Sequence, residues 1–276
     1  MLADYHVHTE YSDDSVYPME EVVKDAIRLG LDEICITDHV DYGVKADWDS
    51  GEEIRYFQGE PIANVDYPRW AADIKRVREL YGSRITVKMG MEFGVQSHTV
   101  PQYEALFRRY PFDFIILSIH QVEDKEFWTQ DFQRGRTQRE YNERYYEELL
   151  RVVKAYKNYS VLGHMDLMKR YDEEGMYPFE KVKPIIAEIL KIIIADGKGI
   201  EANTSWHRYG LTEPMPSKEI WRLYKDLGGK IVTIGSDSHA PAHLGTYLEE
   251  AKSQLRDIGF ESFCTYENMQ PVFHRL

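Results

Sequence analysis

Six short motifs place metal-ligand side chains at regular intervals along the chain: DYHVH (4–8), ITDH (36–39), GME (90–92), SIH (118–120), GHMD (163–166) and GSDSH (235–239). In DYHVH, one residue separates His6 from His8, and side chains at i and i+2 of an extended strand project to the same face. Both imidazoles then look into one space, and Asp237 with His239 repeat that spacing. Imidazole nitrogen with carboxylate oxygen and no thiolate suits zinc, manganese or iron(II). His6, His8, His39, Glu92, His120, His164, Asp237 and His239 are too many donors for one ion. Asp14, in HTEYSDDS, adds another, and with Glu92 shared between two ions the set serves three divalent metals. A lone H-x-H is more often a polar strand end, and an Asp in a Ser-Asp-Asp-Ser turn commonly satisfies its own backbone. The ordered recurrence of the motifs, not any one of them, carries the metal reading.

The elements that must position these donors are legible as apolar, β-branched runs: 2–8, 33–39, 84–92, 113–120, 160–166, 199–205 and 230–239. Each reads as a buried strand. Helical stretches alternate with them, among them 18–30, 67–82, 138–157 and 178–197, with Pro18 and Pro178 at expected N1 positions and Gly30, Gly82 and Gly197 at expected C′ positions. Ile185, Ile186, Ile189, Leu190 and Ile193 recur at helical spacing and are core. Strand and helix in alternation imply parallel strands with right-handed crossovers. The expected architecture is an α/β fold, a distorted seven-stranded (β/α)7 barrel spanning 1–276 as one domain, with the donors gathered at the carboxyl edge of the strands. Two long connections, 40–66 and 121–137, are expected walls or lids of that site. Tyr42, Trp48, Tyr56 and Phe57 crowd the first of them and either line the site or pack the loop onto the barrel.

Composition bounds the function. The chain is 43% hydrophobic and 29% charged, with no apolar run approaching the ~20 residues of a membrane span. No basic-then-apolar leader precedes DYHVH, so a cytoplasmic location is expected. Two cysteines, Cys35 and Cys264, form no C-x-x-C pair. A net charge of −13 argues against nucleic acid as a partner, which clustered Lys and Arg would have to neutralise.

The motifs DYHVH, ITDH, GME, SIH, GHMD and GSDSH resemble, in order, those of the PHP (polymerase and histidinol phosphatase) superfamily, across residues 4 to 239. In length, in the long segment after TDH and in GHMDLMKRY (163–171), the chain is similar to the monofunctional histidinol-phosphate phosphatases of that superfamily. The resemblance implies a trinuclear centre in a distorted (β/α)7 barrel. It implies one ion on His6, His8, Glu92 and Asp237, a second on Glu92, His120 and His164, and a third on Asp14, His39 and His239. Asp14 stands where some members carry histidine. Asp4 and Asp38 are expected to orient histidine ligands through their second nitrogen.

The implied partner is a small phosphate ester, L-histidinol phosphate, hydrolysed in histidine biosynthesis, with Glu92, Asp237 and His239 as catalytic groups. Three divalent ions against the carboxylates of Glu92, Asp237 and Asp14 leave a centre of about +3 that draws in a phosphate dianion despite the acidic chain. A water made acidic by the metals then attacks phosphorus in line. Arg170 and Arg208 are the expected phosphate contacts, since a guanidinium offers a bidentate fork, with Lys169 as a further candidate and His98 and His207 as loop histidines of weaker claim. Three rival readings stand beside this one. A PHP phosphodiesterase or exonuclease, or a phosphatase for another small ester, would use the same metals, and the acidic charge disfavours the nuclease. A barrel amidohydrolase also opens with H-x-H, but Glu92 as bridge and the terminal D-S-H disfavour it. A non-catalytic regulatory protein would be expected to lose ligands, and every position here is filled.

Overall fold

The computed structural model describes residues 1–57 and 59–276. Seven strands, β1 (Ala3–Val7), β2 (Glu33–Ile36), β3 (Thr86–Gly94), β4 (Phe114–Ser118), β5 (Val161–Leu162), β6 (Gly199–Asn203) and β7 (Val232–Gly235), follow one another in space in chain order. All neighbours are parallel. The strands are short and buried throughout except at the start of β3, as expected where helices cover a parallel sheet.

Seven helices supply that cover: α1 (Met19–Arg28), α2 (Tyr67–Tyr81), α3 (Val100–Phe107), α4 (Gln138–Ala155), α5 (Phe179–Ala195), α6 (Lys218–Asp226) and α7 (Leu248–Ile258). Pro18 and Pro178 stand at the N-caps of α1 and α5, one residue earlier than the expected N1. α4 opens on a capping box between Thr137 and Glu140. Ile186, Ile189, Leu190 and Ile193 of α5 are fully buried against the sheet. Gly30 and Gly197 take the left-handed conformation that ends a helix, whereas Gly82 stays right-handed at φ −62° and is a plain C-cap.

The barrel closes on the site itself. Beyond the last regular residues of β1 and β7, Val7 pairs with Ser238, the His8 N–H donates to Ser238 O at 2.8 Å, and the Ser238 N–H donates to His6 O at 3.1 Å. The seam is thus sewn through the two H-x-H-like pairs. At the opposite end an antiparallel hairpin, β8 (Ser262–Glu267) and β9 (Gln270–Arg275), caps the barrel. There Tyr266 packs on Phe114 and accepts Tyr5 OH on its carbonyl. Its own hydroxyl donates to Ser160 O at 3.2 Å. The 40–66 segment folds into a small hairpin, Arg55–Phe57 with Glu60–Ile62, and the segment after β4 into another, Gln121–Val122 with Lys125–Glu126.

Gly235 shows how tightly the seam is packed, because a Cβ there would overlap His6 Cβ and lie 2.7 Å from Glu201 Oε1. Gly235→Ala is expected to destabilise the protein by about 1–3 kcal/mol through overpacking. Urea unfolding of metal-free protein checks this, with an unchanged midpoint counting against a close-packed seam.

Candidate metal centre

Glu92, near the end of β3 and fully buried, is the hub. One carboxylate oxygen, Oε2, lies 3.0 Å from His6 Nε2, 3.5 Å from His8 Nε2 and 3.2 Å from His39 Nδ1. The other, Oε1, lies 3.1 Å from His120 Nε2 and 2.8 Å from His164 Nε2, and accepts Ser118 Oγ–H at 2.6 Å. Asp237 Oδ1 completes the first cluster at 3.7 Å from His6 Nε2 and 3.6 Å from His8 Nε2. A third cluster joins Asp14 Oδ2, His39 Nε2 and His239 Nε2 at separations of 3.5, 3.2 and 3.3 Å. Ligands about 2.0–2.1 Å from a tetrahedral ion stand about 3.4 Å from one another. The spacings are those of donors around a cation.

Proton bookkeeping points the same way. Ser12 Oγ–H donates to Asp38 Oδ1 at 2.8 Å, so the Ser12 oxygen accepts from His8 Nδ1 at 3.2 Å, and His8 Nε2 is left as a bare lone pair aimed inward with no partner. His6 Nδ1 donates to Glu201 Oε1 at 2.5 Å, His120 Nδ1 to Asp41 Oδ1 at 2.7 Å and His239 Nδ1 to its neighbour's carbonyl, Asp237 O, at 2.9 Å. In each case the remaining Nε2 is an acceptor facing a carboxylate acceptor. Two acceptors at hydrogen-bond distance repel unless a proton or a metal lies between them.

The titration behaviour follows from that arrangement. Burial works to raise the pKa of Glu92, but the imidazoles of His6, His120 and His39 outweigh it and hold the carboxyl well below the usual range. Burial is likewise overcome at Asp237 by His6, His8 and Arg170, and at Asp14, which is exposed at the rim, His239 and His39 hold the carboxyl well below the usual range. Conversely, burial disfavours charge on His120, yet Glu92 and Asp41 raise it to about 10. Asp14 and Asp237 raise His239 to about 9, and Glu201, Glu92 and Asp237 lift His6 well above its ordinary value. His8 is the exception, held well below by burial and by His239 and His39.

The centre opens into a cavity of about 290 Å³ lined by Asp14, His39, His120, His164, Asp237 and His239 at its base. Arg170 and Arg208 also line it. Arg170 donates to Asp237 Oδ2 at 3.1 Å and Ser205 Oγ at 2.8 Å and stacks on the Tyr209 ring at 3.9 Å. Arg208 donates to the carbonyls of Ser236 and Asp237 at 2.7 and 2.6 Å. Lys169, expected as a phosphate contact, turns away. Its ammonium bonds Pro214 O at 2.6 Å and Asp166 Oδ2 at 2.8 Å, outside this cavity, because consecutive residues of the 3₁₀ turn Leu167–Arg170 project about 120° apart. His98 pairs with Asp124 at 3.0 Å on the surface, and His207 is stacked between Trp206 and Tyr247.

Asp4 and Asp38 do not orient imidazoles directly. Asp4 accepts from Ser236 and from the backbone N–H groups of Ser236, Gly245 and His6, tying the β1–β7 seam, while Asp38 accepts from Thr9, Ser12 and Trp70 Nε1. Glu201 and Asp41 take that work at His6 and His120, and the sequence reading missed both. Lys45, held between Asp13 and Asp41 at 2.6 and 2.9 Å, also lines the cavity unforeseen. The aromatics lining the cavity are Trp128, from the segment after β4 and with Glu126 in the same lining, together with Tyr171 and Tyr209, while Trp48 lies in a separate surface groove with Tyr11 and Pro61. Phe57 makes an edge contact with Trp128, at 6.3 Å between ring centres.

A parallel barrel with this donor set at its carboxyl edge is the architecture of a metallohydrolase, and the PHP domain family matches residues 4–205, so the chain belongs to that family. Over 270 residues it is 29% identical to a histidinol-phosphatase of Lactococcus lactis, covering 97% of this chain and 95% of that protein. It is 27% identical to a probable histidinol-phosphatase of Thermotoga maritima, covering 94% of each. The crystal structure of histidinol phosphate phosphatase from Lactococcus lactis, complexed with zinc, L-histidinol and phosphate, superposes with a TM-score of 0.83 at 28% identity and 98% coverage of both chains.

Two outcomes follow from the geometry. Because His6, His120 and His239 hold protons above their ordinary pKa in the ion-free cluster, metal binding at pH 7.5 displaces them. Calorimetric titration of stripped protein with zinc in buffers of different ionisation enthalpy is expected to show net proton release that diminishes above pH 9. Buffer-independent heats would contradict the assignment. Glu92→Gln is expected to cut turnover by about 10³-fold or more while the far-ultraviolet dichroism stays unchanged, since one carboxylate serves two clusters. Near-normal turnover in that variant would refute the hub.

Proposed function

We propose that the chain is a metal-dependent phosphatase that hydrolyses L-histidinol phosphate to L-histidinol and phosphate, a step of histidine biosynthesis. One observation carries the reading: the donor cluster centred on Glu92 opens directly onto a cavity that is also lined by two immobilised guanidinium groups, Arg170 and Arg208, and by the Glu126 carboxylate and the Trp128 indole. His6, His8, Glu92 and Asp237 would hold one divalent ion, Glu92, His120 and His164 a second, and Asp14, His39 and His239 a third. Zinc, manganese and iron all suit imidazole with carboxylate. When bound, the ions supply positive charge for the phosphate oxygens and lower the pKa of water into the neutral range.

The side chains do the rest. Arg170 and Arg208 are braced by Asp237, Ser205 and the Ser236 carbonyl, so they lose little freedom on gripping a phosphate. In the same cavity, Glu126 and Trp128 offer charge and a flat apolar face to the ammonium and imidazole of the alcohol portion. The whole chain is read as one barrel unit, working in the cytoplasm. No helix among the described residues is long and apolar enough to cross a membrane.

A phosphate-release screen tests the reading. L-histidinol phosphate is expected to give the highest kcat/KM among small monoesters, with dinucleotides and single-stranded DNA inert. A preference for nucleotides would remove the histidine-biosynthetic role. A charged hydrogen bond contributes about 1.5–3 kcal/mol, so Arg208→Ala should lower kcat/KM about ten- to hundredfold for every phosphate ester. Glu126→Gln should lower it about tenfold for histidinol phosphate while leaving an aryl phosphate within about twofold. Equal losses on both substrates would take Glu126 out of the recognition wall.

A further inference from the structure

Strand β6 contributes no ligand to the centre, yet its Glu201 is 1% exposed and stands directly behind it. Three donors converge on this one carboxylate. Oε1 accepts His6 Nδ1–H at 2.5 Å, and Oε2 accepts the His164 backbone N–H at 3.0 Å and the Asn203 amide at 3.2 Å. Asn203 in turn reaches Asp237 Oδ2 at 3.4 Å. The partners lie on β1, at the end of β5 and on β6. Through them Glu201 touches ligands assigned to two different ions, His6 of the first and His164 of the second. Asp41, by contrast, accepts from one assigned ligand, His120, on one oxygen and holds Lys45 on the other.

We propose that Glu201 is the positioning residue that couples the first two ion sites, by fixing the His6 tautomer and the His164 backbone at once. The inference rests on the metal reading above. Its physical basis is an acceptor count. Only an ionised carboxylate can accept on both oxygens, and a glutamine of the same shape must turn its NH₂ toward one of the donors. If the NH₂ faces His6, the ring must present Nδ1 as the acceptor, and Nε2 then carries the proton toward Glu92 and cannot bind a metal. If it faces His164 and Asn203, two donors oppose it and the end of β5 shifts.

The test compares Glu201→Gln with Asp41→Asn. Each is stripped, reloaded with zinc and titrated against a chelator while bound zinc is counted by elemental analysis. Loss of a carboxylate behind a ligating histidine typically weakens metal affinity 10- to 100-fold. Glu201→Gln is expected to weaken two zinc ions by that factor, and Asp41→Asn only one. A Glu201→Gln protein that keeps all its zinc, or loses one ion only, overturns the coupling. A wild-type protein that binds no zinc overturns the metal reading instead. Should Glu201→Gln fail to fold, nitrogen-15 spectra of zinc-loaded wild-type protein decide. A downfield, slowly exchanging His6 Nδ1–H supports the proposal, and His6 protonated on Nε2 refutes it.

Discussion

The structure turns on one constraint: imidazole nitrogens face the two oxygens of Glu92 at 2.8–3.5 Å inside a closed barrel, so a proton or a metal has to lie between them. Desolvated acceptors brought face to face cost several kcal/mol unless a cation lies between them. Protons can serve, which is why three of the imidazoles titrate high in the ion-free cluster. A divalent metal serves better, because it satisfies several lone pairs at once. The hydrophobic core therefore has to hold the donors in place ahead of the ion. It does so with strands that are almost wholly buried and a hairpin that stoppers the far end.

The closure of the barrel and the assembly of the centre are one event. The β1–β7 seam is made by backbone bonds of His6, His8 and Ser238, with Asp4 reaching across to Ser236 and Gly245. A chain in which the seam has not formed cannot bring His6 and His8 to Asp237. An ion bridging these residues adds to the stability of the closed form, since metals bind the folded arrangement and not the extended one.

The donors were legible because parallel strands deliver their ends to a common edge, so residue type at a strand end is already a statement about position. The residues behind them were not. Glu201 and Asp41 are acids of ordinary type, and nothing in GIEANTS or HVDY distinguishes an acid that braces an imidazole from one that caps a loop. One signal was available: Glu201 and Asn203 share the i, i+2 relation used for His6 and His8, which put two polar groups on one face of a buried strand. The exchange of Trp48 for Trp128 has another origin. Both long segments carry aromatics, and which of them reaches the mouth depends on tertiary contacts, such as Gln121 Nε2 donating to Gly94 O at 3.0 Å, that sequence spacing does not encode. That Arg170 lines the cavity while Lys169, also expected there, turns away follows from the direction of one 3₁₀ turn.

The carboxylates that brace the imidazoles also revise the electrostatics of phosphate capture. With three divalent ions, the negative charges of Glu92, Asp237 and Asp14 leave about +3, and adding Glu201 and Asp41 brings the buried assembly to about +1. Lys45 adds little, being held between Asp13 and Asp41. Much of the positive charge facing the cavity therefore resides on Arg170 and Arg208, and this has a kinetic consequence. Substrate ester and product phosphate present nearly the same dianion, so attraction by net charge binds both alike and lowers KM without raising kcat. On the proposed function a centre of moderate charge would release phosphate, and the discrimination between esters would fall to the side chains that meet the alcohol. The lining is acidic and aromatic at Glu126 and Trp128 and basic at Arg170 and Arg208, so on the proposed function it would sort the two ends of a cationic phosphate ester by charge.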